Sequence, residues 1–408
     1  MHRNITSKII NLLKMFPVVA IIGARQSGKT MLARTVCPDW LYIDLEKTSD
    51  FNRIELDPEF FLSEHSEHVI FDEAQLLPKL FELLRSSIDE QRGKKGRFLL
   101  TGSSSFSLLD QISETLAGRI AIVELGTCKA NELADQPINS FYSLLQNELS
   151  PQYFKSLEAP SISLQDIQKA WYLGGYPEPI LENDETFYLH WMENYEDAYI
   201  YRDIARQYPK LNKVSFQRFI SMLSKLSGTI LNKSDIARAL EVSESSIREY
   251  LSLAEGTFLW RALPSYEKSG LKNTVKMPKG HIRDSGLLHS LLGITHLEKL
   301  YHDPIVGRSF EGFIIEEILK GLTATMLTHW SPYYYRTRGG AEIDLILEGP
   351  FGCLPIEIKY GINVTKRQLT SLEQFVIDRK LPFGLLINQA SEPCWLTRHV
   401  FQLPANYL

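Results

Sequence analysis

The chain has 408 residues, of which 44% are apolar and 23% charged, and its formal net charge is -5. This length predicts two to four domains with sizeable cores. The mild net charge does not indicate a nucleic-acid partner, so any such binding would need local patches. The four cysteines lie far apart without a CxxC pair, which argues against a disulfide framework or a zinc site.

The N-terminal residues predict an amphipathic helix followed by a strand. Lys14 interrupts the apolar stretch, so the segment does not read as a signal peptide. Apolar runs elsewhere fall short of the ~20 residues that span a bilayer. A cytoplasmic protein without a membrane partner is therefore expected.

A glycine-rich loop follows the first predicted strand. Residues 16–22 are rich in Val and Ile, GARQSGKT follows at residues 23–30, and MLARTV then opens a helix. In such a loop the main-chain amides face phosphates, the lysine neutralises them and the hydroxyl ligates Mg²⁺. The predicted nucleotide-binding residues are Gly23, Ala24, Arg25, Gln26, Ser27, Gly28, Lys29 and Thr30, with Lys29 also catalytic and Thr30 also a metal ligand. The alternative is a glycine-rich turn without a ligand.

Two acids end a second buried strand in HVIFDEAQ, residues 68–75. Asp72 is predicted to hold Mg²⁺, directly or through water, and Glu73 to be the general base that activates the attacking water. An acid pair after a strand is also a common helix cap. Its position downstream of a strand-linked phosphate loop favours nucleotide hydrolysis.

Two further segments carry predicted catalytic residues. In RFLLTGSSS, Ser103 is predicted to sense the γ-phosphate or to orient water; the alternative is that these serines cap the next helix. In ETLAGRIAIVEL, Arg119 is predicted to be an arginine finger, acting in cis or from a neighbouring subunit. The alternative for Arg119 is an ordinary surface arginine.

The middle of the chain predicts helices and a helix-turn-helix. Residues 134–228 combine an irregular linker with helices. Residues 231–255 show two short apolar periodicities, with Ser234 as the expected cap of the first helix. Apolar segments at 257–263 and 273–277 are expected to form a wing.

The second helix of this pattern has a mixed surface. Its exposed positions are Glu244, Ser245, Ser246, Arg248 and Glu249. Two acids and one base suit phosphate contacts poorly. Contacts with a domain or a protein are therefore favoured over direct reading of DNA, which stays the alternative.

Residues 341–361, AEIDLILEGPFGCLPIEIKYG, predict a β-hairpin around a Gly/Pro turn. Strict alternation places Ile343, Leu345 and Leu347 on one face of the first strand and Asp344 on the other.

The hairpin brings Asp344 near Glu357 and Lys359 in the second strand. Two carboxylates can bind Mg²⁺, and a lysine beside them can position water and stabilise charge at phosphorus. Asp344, Glu357 and Lys359 are therefore predicted catalytic residues, with both carboxylates as metal ligands. The alternative is the ordinary polar face of a hairpin.

Together these motifs resemble prokaryotic AAA-type P-loop ATPases that carry a poorly characterised C-terminal half. The resemblance is carried by GARQSGKT, VIFDEAQ, LLTGSSS, ETLAGR, GGYPEP (174–179), YRD (201–203), RDSGLL (283–288), a helix from Gly307, and EID with IEIK, and so covers nearly the whole chain. In that family the C-terminal half resembles a winged helix followed by a restriction-endonuclease-like fold. The resemblance implies a D…ExK site, with Glu311 as an additional metal-binding acid from the first helix of that fold. VELGTCKANEL (123–133) departs from the family pattern.

The predicted fold is an α/β P-loop core with a parallel sheet, a helical and winged-helix middle and a restriction-endonuclease-like α/β end. The predicted domains are an ATPase (1–133), a helical linker region (134–228), a winged-helix-like domain (229–285) and a nuclease-like domain (286–408).

The expected function is an ATP-hydrolysing nucleotide switch, with ATP and Mg²⁺ as cofactors. The switch is coupled to a metal-dependent nuclease-like domain acting on or near DNA. The alternative is a nucleotide-dependent interaction module that binds a protein partner through the winged helix or a silent C-terminal fold. The spacing of Asp344, Glu357 and Lys359 favours the nuclease, whereas the net charge favours the module. A small-molecule kinase would leave the C-terminal half without a role, and the family resemblance suggests an oligomer.

Overall fold

The computed structural model describes residues 2–103, 112, 114–155, 157–204, 208, 211–266 and 276–408. Within these residues, no helix is both long and apolar enough to cross a membrane. Cys37, Cys128, Cys353 and Cys394 form no disulfide bonds with one another.

The N-terminal part folds around a parallel five-stranded sheet with strand order β2-β3-β4-β1-β5. The strands are β1 (Val18–Ile22), β2 (Leu41–Asp44), β3 (Val69–Asp72), β4 (Phe98–Gly102) and β5 (Ile120–Glu124). The helices of this part are α1 (Thr6–Met15), α2 (Lys29–Val36), α3 (Thr48–Glu55), α4 (Pro58–Glu64) and α5 (Lys79–Glu90), with a 3₁₀ turn at Ala74–Leu76. Every residue of β1, β3 and β4 is buried, which accounts for their nearly unbroken apolar runs.

The strand order determines which loops lie next to one another at the carboxyl edge of this sheet. Because β4 lies between β1 and β3 and all three run in the same direction, their carboxyl ends lie side by side. The phosphate loop, the acid pair and Ser103 each follow one of these strands. The predicted α/β core is confirmed, and its topology gathers the predicted nucleotide site.

The middle part is mainly helical. Its elements are α6 (Ala130–Leu133), α7 (Phe141–Leu144), a 3₁₀ helix (Pro151–Lys155), α8 (Leu164–Leu173), α9 (Pro177–Leu181), α10 (Glu185–Tyr195), a π-helix (Glu196–Asp203) and α11 (Lys213–Lys225). Phe141, Ile167 and Trp171 from this region belong to the same buried cluster as Leu345 of the C-terminal sheet. The described buried residues of this region therefore pack in one core with the C-terminal half, rather than forming a solvated connection.

The predicted helix-turn-helix is present as α12 (Lys233–Leu240) and α13 (Glu244–Gly256). Asn232 rather than Ser234 caps α12, because its side chain accepts from the Ser234 main-chain N–H. A three-stranded antiparallel sheet adjoins the helices, in the order β6 (Thr229–Ile230), β8 (Lys279–Ile282) and β7 (Trp260–Leu263). Of the predicted wing segments, residues 273–275 lie outside the described residues.

The C-terminal part has a mixed six-stranded sheet in the order β13-β14-β12-β11-β10-β9. The strands are β9 (Ser331–Arg336), β10 (Glu342–Gly349), β11 (Gly352–Ile358), β12 (Gly384–Asn388), β13 (Cys394–Trp395) and β14 (Val400–Pro404). The helices are α14 (Ser285–Leu291), α15 (Leu297–His302), α16 (Val306–Ala324) and α17 (Lys366–Asp378), followed by a 3₁₀ turn at Ala405–Tyr407. The predicted hairpin is confirmed as the antiparallel pair β10–β11.

Strict alternation along β10 fails at one point. The register between β10 and β9 shifts between Ile343 and Ile346. As a result Ile343 and Ile346 both pack with α17, whereas Leu345 and Leu347 lie in the larger core on the other face. A β-bulge adds one residue to a strand and breaks the period of two.

Candidate functional site

The phosphate loop lies between β1 and α2, as predicted. Gly28 has a φ of 93° and Gln26 a φ of 60°, so the loop uses left-handed backbone at two positions. Gly23 is required for a different reason, because a Cβ there would lie 2.2 Å from the carbonyl oxygen of Leu125.

The Lys29 ammonium lies inside this loop. It donates to the main-chain carbonyls of Gly23 and Ala24 at 3.1 and 2.9 Å. Burial lowers the pKa of Lys29, while the nearby carboxylates oppose that shift. The Ser27 hydroxyl is buried and has no hydrogen-bond partner within the described residues. An ammonium and an unpaired hydroxyl in a loop before a helix fit a bound phosphate.

The Asp72 carboxylate is the centre of a hydroxyl cluster. The Thr30 hydroxyl and the Tyr42 hydroxyl each donate to Asp72 Oδ2 at 2.7 Å, and the Thr101 hydroxyl donates to Oδ1. The Thr30 hydroxyl at the start of α2 and the Asp72 carboxylate at the end of β3 are the kinds of oxygen donor that Mg²⁺ takes in nucleotide sites, so the residues fit the metal. Sequence reasoning missed Tyr42 and Thr101, although each lies on a strand near the predicted acid.

Glu73 is held by three donors on one oxygen. Its Oε2 accepts from the Ser103 hydroxyl at 2.8 Å, from the Ser103 main-chain N–H at 3.2 Å and from Gln75 Nε2 at 2.6 Å. Ser103, which is predicted to sense the γ-phosphate or to orient water, lies in direct contact with the predicted base. Gln75 was not predicted; its place two residues after Glu73 in DEAQ is the signal that could have found it.

Arg119 lies at the opposite edge of the sheet. It precedes β5, whose first residue Ile120 pairs with Val18 at the start of β1, whereas the phosphate loop follows the end of β1. Its guanidinium forms a two-pronged ion pair with Asp89, with both N–O distances at 2.9 Å. Five residues of strand separate the two edges by roughly 16 Å. A finger acting in cis is therefore excluded in this arrangement, and only the action in trans stays a prediction.

The GGYPEP turn touches the phosphate loop from the middle part. The Gly175 N–H donates to Asp284 of RDSGLL at 2.9 Å, so the two motifs meet. Pro177 Cγ lies 3.9 Å from the position that a Cβ on Gly28 would take. The Tyr195 hydroxyl of α10 donates to a phosphate-loop carbonyl at 3.3 Å.

A partly buried charge network joins the three parts of the chain. Arg261 of β7 and Arg283, which follows β8, both pair with Glu124 at the end of β5 and with Glu316 of α16. His281 Nε2 lies 3.0 Å from Glu316. Burial alone would raise the pKa of Glu316, but the two arginines hold it well below its ordinary value. We call these five residues the junction network.

The C-terminal carboxylates also converge as predicted. Lys359 Nζ lies 2.5 Å from Glu357 Oε1 and 3.7 Å from Asp344 Oδ2. Asp344 Oδ2 accepts the Ile358 main-chain N–H at 2.9 Å, which fixes the side chain beside β11. Burial, and then the Asp344 charge, raise the pKa of Glu357 to about 8.

A lysine that was not predicted lies in this cluster. Lys279 of β8 contacts Glu311 of α16 at 2.7 Å, Glu342 at 2.8 Å and Asp344 at 3.4 Å. Across the described part of the chain, no group of three or more His, Cys, Asp or Glu side chains is arranged to hold a metal ion. The predicted metal site of Glu311, Asp344 and Glu357 therefore does not fit a divalent cation in this arrangement, because a protein ammonium already lies among its oxygens.

Comparisons with known proteins cover the chain in three blocks. A family model described as an AAA domain matches residues 15–134. Two models described as domains of unknown function match residues 164–298 (DUF8612) and 306–408 (DUF4143). The uncharacterized protein Rv2008c of Mycobacterium tuberculosis is 30% identical over 413 residues, which cover 100% of this chain and 84% of the relative. The chain belongs to a family of prokaryotic AAA-type ATPases.

One further relative and two solved structures are more distantly similar. The uncharacterized protein MJ1544 of Methanocaldococcus jannaschii is 23% identical over 399 residues, covering 92% of this chain and 83% of the relative. Among solved structures, the Walker-type ATPase PABY2304 of Pyrococcus abyssi is 17% identical with a TM-score of 0.45, covering 71% of this chain and 94% of that one. AMPPCP-bound DnaA of Aquifex aeolicus is 12% identical with a TM-score of 0.28, covering 62% and 86%.

The AAA domain of this ATPase contains every residue predicted for nucleotide chemistry. The C-terminal cluster of Lys279 and its carboxylate partners spans two matched domains. Lys279 lies in the first matched domain of unknown function, and the carboxylates lie in the second. The cluster therefore lies at the interface between these two domains of the ATPase.

Proposed function

We propose that this AAA-type ATPase hydrolyses ATP and transmits its nucleotide state to its C-terminal half. The observation that carries the proposal is the placement of Glu73. Its carboxylate is held by Ser103 and Gln75 beside the Thr30–Asp72 pair, at the edge of the sheet where the phosphate loop begins.

In this proposal the phosphate loop and Lys29 bind the triphosphate. Thr30 and Asp72 would hold Mg²⁺, which when bound supplies neutralising charge to the phosphates. Glu73 accepts a proton from water as the water oxygen attacks the γ-phosphorus, and the bond to the ADP oxygen breaks. Ser103 and Gln75 keep the carboxylate aimed at that water.

Transmission is proposed to run through the junction network. Glu124 ends β5, which pairs with β1 directly before the phosphate loop. Its two arginine partners also hold Glu316 of the long helix α16. A change at the phosphate loop that shifts the end of β5 would therefore alter contacts on both sides of the β7–β8 sheet.

Two variants test the nucleotide part. Lys29→Ala is expected to abolish ATP binding, measured with a fluorescent ATP analogue. Glu73→Gln is expected to bind within a factor of about three while hydrolysis falls roughly a hundredfold or more. Lys14→Ala, a change at an exposed lysine, is the control. Hydrolysis at the wild-type rate by Lys29→Ala would refute the assignment of the phosphate loop.

A second candidate function is metal-dependent cleavage of DNA by the C-terminal half. The convergence of Asp344, Glu357 and Lys359 favours it. Because the Lys279 ammonium lies among these carboxylates in this arrangement, cleavage would require Lys279 to leave the site before a metal ion could bind. The test is nicking of plasmid DNA with Mg²⁺ or Mn²⁺ and ATP, beside Asp344→Ala and the exposed control Asp378→Ala. Cleavage lost only in Asp344→Ala would support the nuclease.

Absence of cleavage under either metal would favour the interaction module instead. In that case the search turns to a protein partner of the helix-turn-helix or of the C-terminal half. Binding to DNA through phosphates can be distinguished because its affinity falls steeply as salt rises.

A further inference from the structure

Lys279 is held where three carboxylates from two elements converge. Its Nζ contacts Glu311 of α16 and Glu342 and Asp344 of β10, at 2.7 to 3.4 Å. The lysine side chain is only 6% exposed. Burial alone would lower its pKa, but the three negative charges raise it well above its ordinary value. The ammonium is therefore a buried cation with three anionic partners.

The distances distinguish this arrangement from a metal site. Hard divalent cations bind oxygen at about 2.0–2.6 Å. The oxygens here surround an ammonium at hydrogen-bond distances, and there is no room for a second cation at the same point. Lys279 and a divalent metal ion would therefore exclude each other.

Charge balance points to the same exclusion. The cluster contains four carboxylates, those of Glu311, Glu342, Asp344 and Glu357. Its cations are Lys279, Lys359 and Arg336, the last at 3.3 Å from Glu342. Four negative and three positive formal charges leave a net of -1. With every carboxylate ionised, removal of Lys279 makes the net -2, and charge among largely buried groups is costly unless a cation or a proton compensates it.

One oxygen of the cluster is still available. Glu357 Oε2 is buried and has no hydrogen-bond partner within the described residues. A buried carboxylate oxygen without a hydrogen-bond partner can coordinate a cation or accept a hydrogen bond from water. It belongs to the residue that already contacts Lys359.

We infer that Lys279 is the resident cation of the carboxylate site, and that removing its ammonium creates a site for a divalent metal ion of the Mg²⁺ or Mn²⁺ class. The inference rests on the carboxylate site proposed above, but not on cleavage of DNA. Lys279 is contributed by β8, so the occupancy of this site depends on how that strand sits against the C-terminal sheet.

The test is binding of Mn²⁺ to the nucleotide-free 408-residue protein, monitored by the loss of the free-ion signal in electron paramagnetic resonance. Lys279→Met keeps the apolar stem and removes the charge. It is expected to bind one Mn²⁺ at least tenfold more tightly than wild type. Adding Asp344→Asn is expected to abolish that gain, and Lys225→Met, at an exposed lysine, to leave binding at the wild-type level.

Three results would overturn the inference. They are equal Mn²⁺ binding by wild type and Lys279→Met, a gain that survives Asp344→Asn, or a Mn²⁺ ion on the wild type that is lost with Asp344→Asn. The third result compares the wild type with Asp344→Asn and needs no change at Lys279. If circular dichroism shows that Lys279→Met is misfolded, Lys279→Gln replaces it. Strong Mn²⁺ binding by Lys279→Met without DNA cleavage would refute the nuclease proposal and leave this inference standing.

Discussion

At the scale of single residues, Glu73 shows how the nucleotide site holds its general base. Its φ of 53° lies in the left-handed region, which costs a residue with a side chain about 1–2 kcal/mol. The main-chain N–H of Glu73 donates to the Thr101 hydroxyl at 3.2 Å. This anchor and the contacts to the carboxylate hold the unfavourable backbone in place, and the carboxylate lies beside Ser103, which follows β4.

Ser103→Ala should therefore impair hydrolysis more than binding. Loss of a hydrogen bond to a charged group corresponds to roughly a tenfold or larger fall in kcat. The affinity for ATP should change less than threefold. Steady-state kinetics check this, with the double variant Ser103→Ala/Glu73→Gln as the control. A further fall in the double variant relative to Glu73→Gln would show that Ser103 acts independently of Glu73.

Arg119 can be tested against its partner. If its role is the ion pair, Arg119→Ala and Asp89→Ala should each destabilise the protein by about 1 kcal/mol or less and leave ATP hydrolysis unchanged. If Arg119 serves a neighbouring subunit, only Arg119→Ala should lose hydrolysis, in a manner that depends on protein concentration. Thermal melts and ATPase rates of both variants distinguish the two roles.

His289 predicts a dependence of stability on pH. The ring lies between the Tyr172 carbonyl at 2.9 Å and the Ser309 hydroxyl at 2.6 Å, and Ser309 also accepts from Trp171. Burial lowers the pKa of His289 to about 4, while the Tyr172 carbonyl and the Asp303 charge oppose the shift.

The unfolded chain therefore binds this proton more readily than the folded one. The contribution of neutral His289 to the free energy of unfolding should be fully present above about pH 6.5. It should be lost as the pH drops toward 4, which lowers the free energy of unfolding by on the order of 3 kcal/mol. His289→Gln should have a flatter profile of melting temperature between pH 7 and 4. Identical slopes in wild type and variant would contradict this.

The site residues that could be predicted from the sequence are those that lie close together along the chain. The phosphate loop and the acid pair are short motifs set between a strand and a helix, so their positions could be predicted from neighbouring residues. Lys279 could not, because its partners Glu311 and Asp344 are brought to it only by the packing of α16 and β10 against β8. The cis role of Arg119 failed for a similar reason, because strand direction decides which edge of the sheet a residue occupies.

At the scale of elements, the period of two predicted the hairpin but not its bulge. Ile343 faces α17 instead of the larger core because the register shifts within β10. Composition also failed to show how residues 134–228 pack. Polar residues and prolines suggested a linker, whereas Phe141 and Tyr142 are almost completely buried against the C-terminal half.

This packing predicts the effect of a small change in α16. A Cβ on Gly321 would lie 2.1 Å from the Tyr142 ring, whereas a Cβ on Gly307 in the same helix meets nothing within 4 Å. Gly321→Ala should therefore destabilise the protein by about 1–3 kcal/mol despite the better helix propensity of alanine. Gly307→Ala should be neutral or slightly stabilising. Melting temperatures check this, and equal shifts for both variants would contradict the close packing.

At the scale of the whole molecule, β8 connects two charged sites. Lys279 at its start belongs to the carboxylate cluster, and Arg283 just beyond its end belongs to the junction network. About 13 Å of strand separates the two residues. Because a paired strand moves as a unit, a shift imposed through Glu124 and Arg283 would reach Lys279.

The most direct test of this account is hydrogen–deuterium exchange of Glu73→Gln with and without ATP and Mg²⁺. This variant is expected to bind ATP without hydrolysing it, and Lys29→Ala is the control that binds none. The account predicts that ATP changes exchange in the phosphate loop and also in peptides covering β8 and α16, and that Lys29→Ala shows neither change. Changes confined to residues 15–134 would contradict transmission to the C-terminal half.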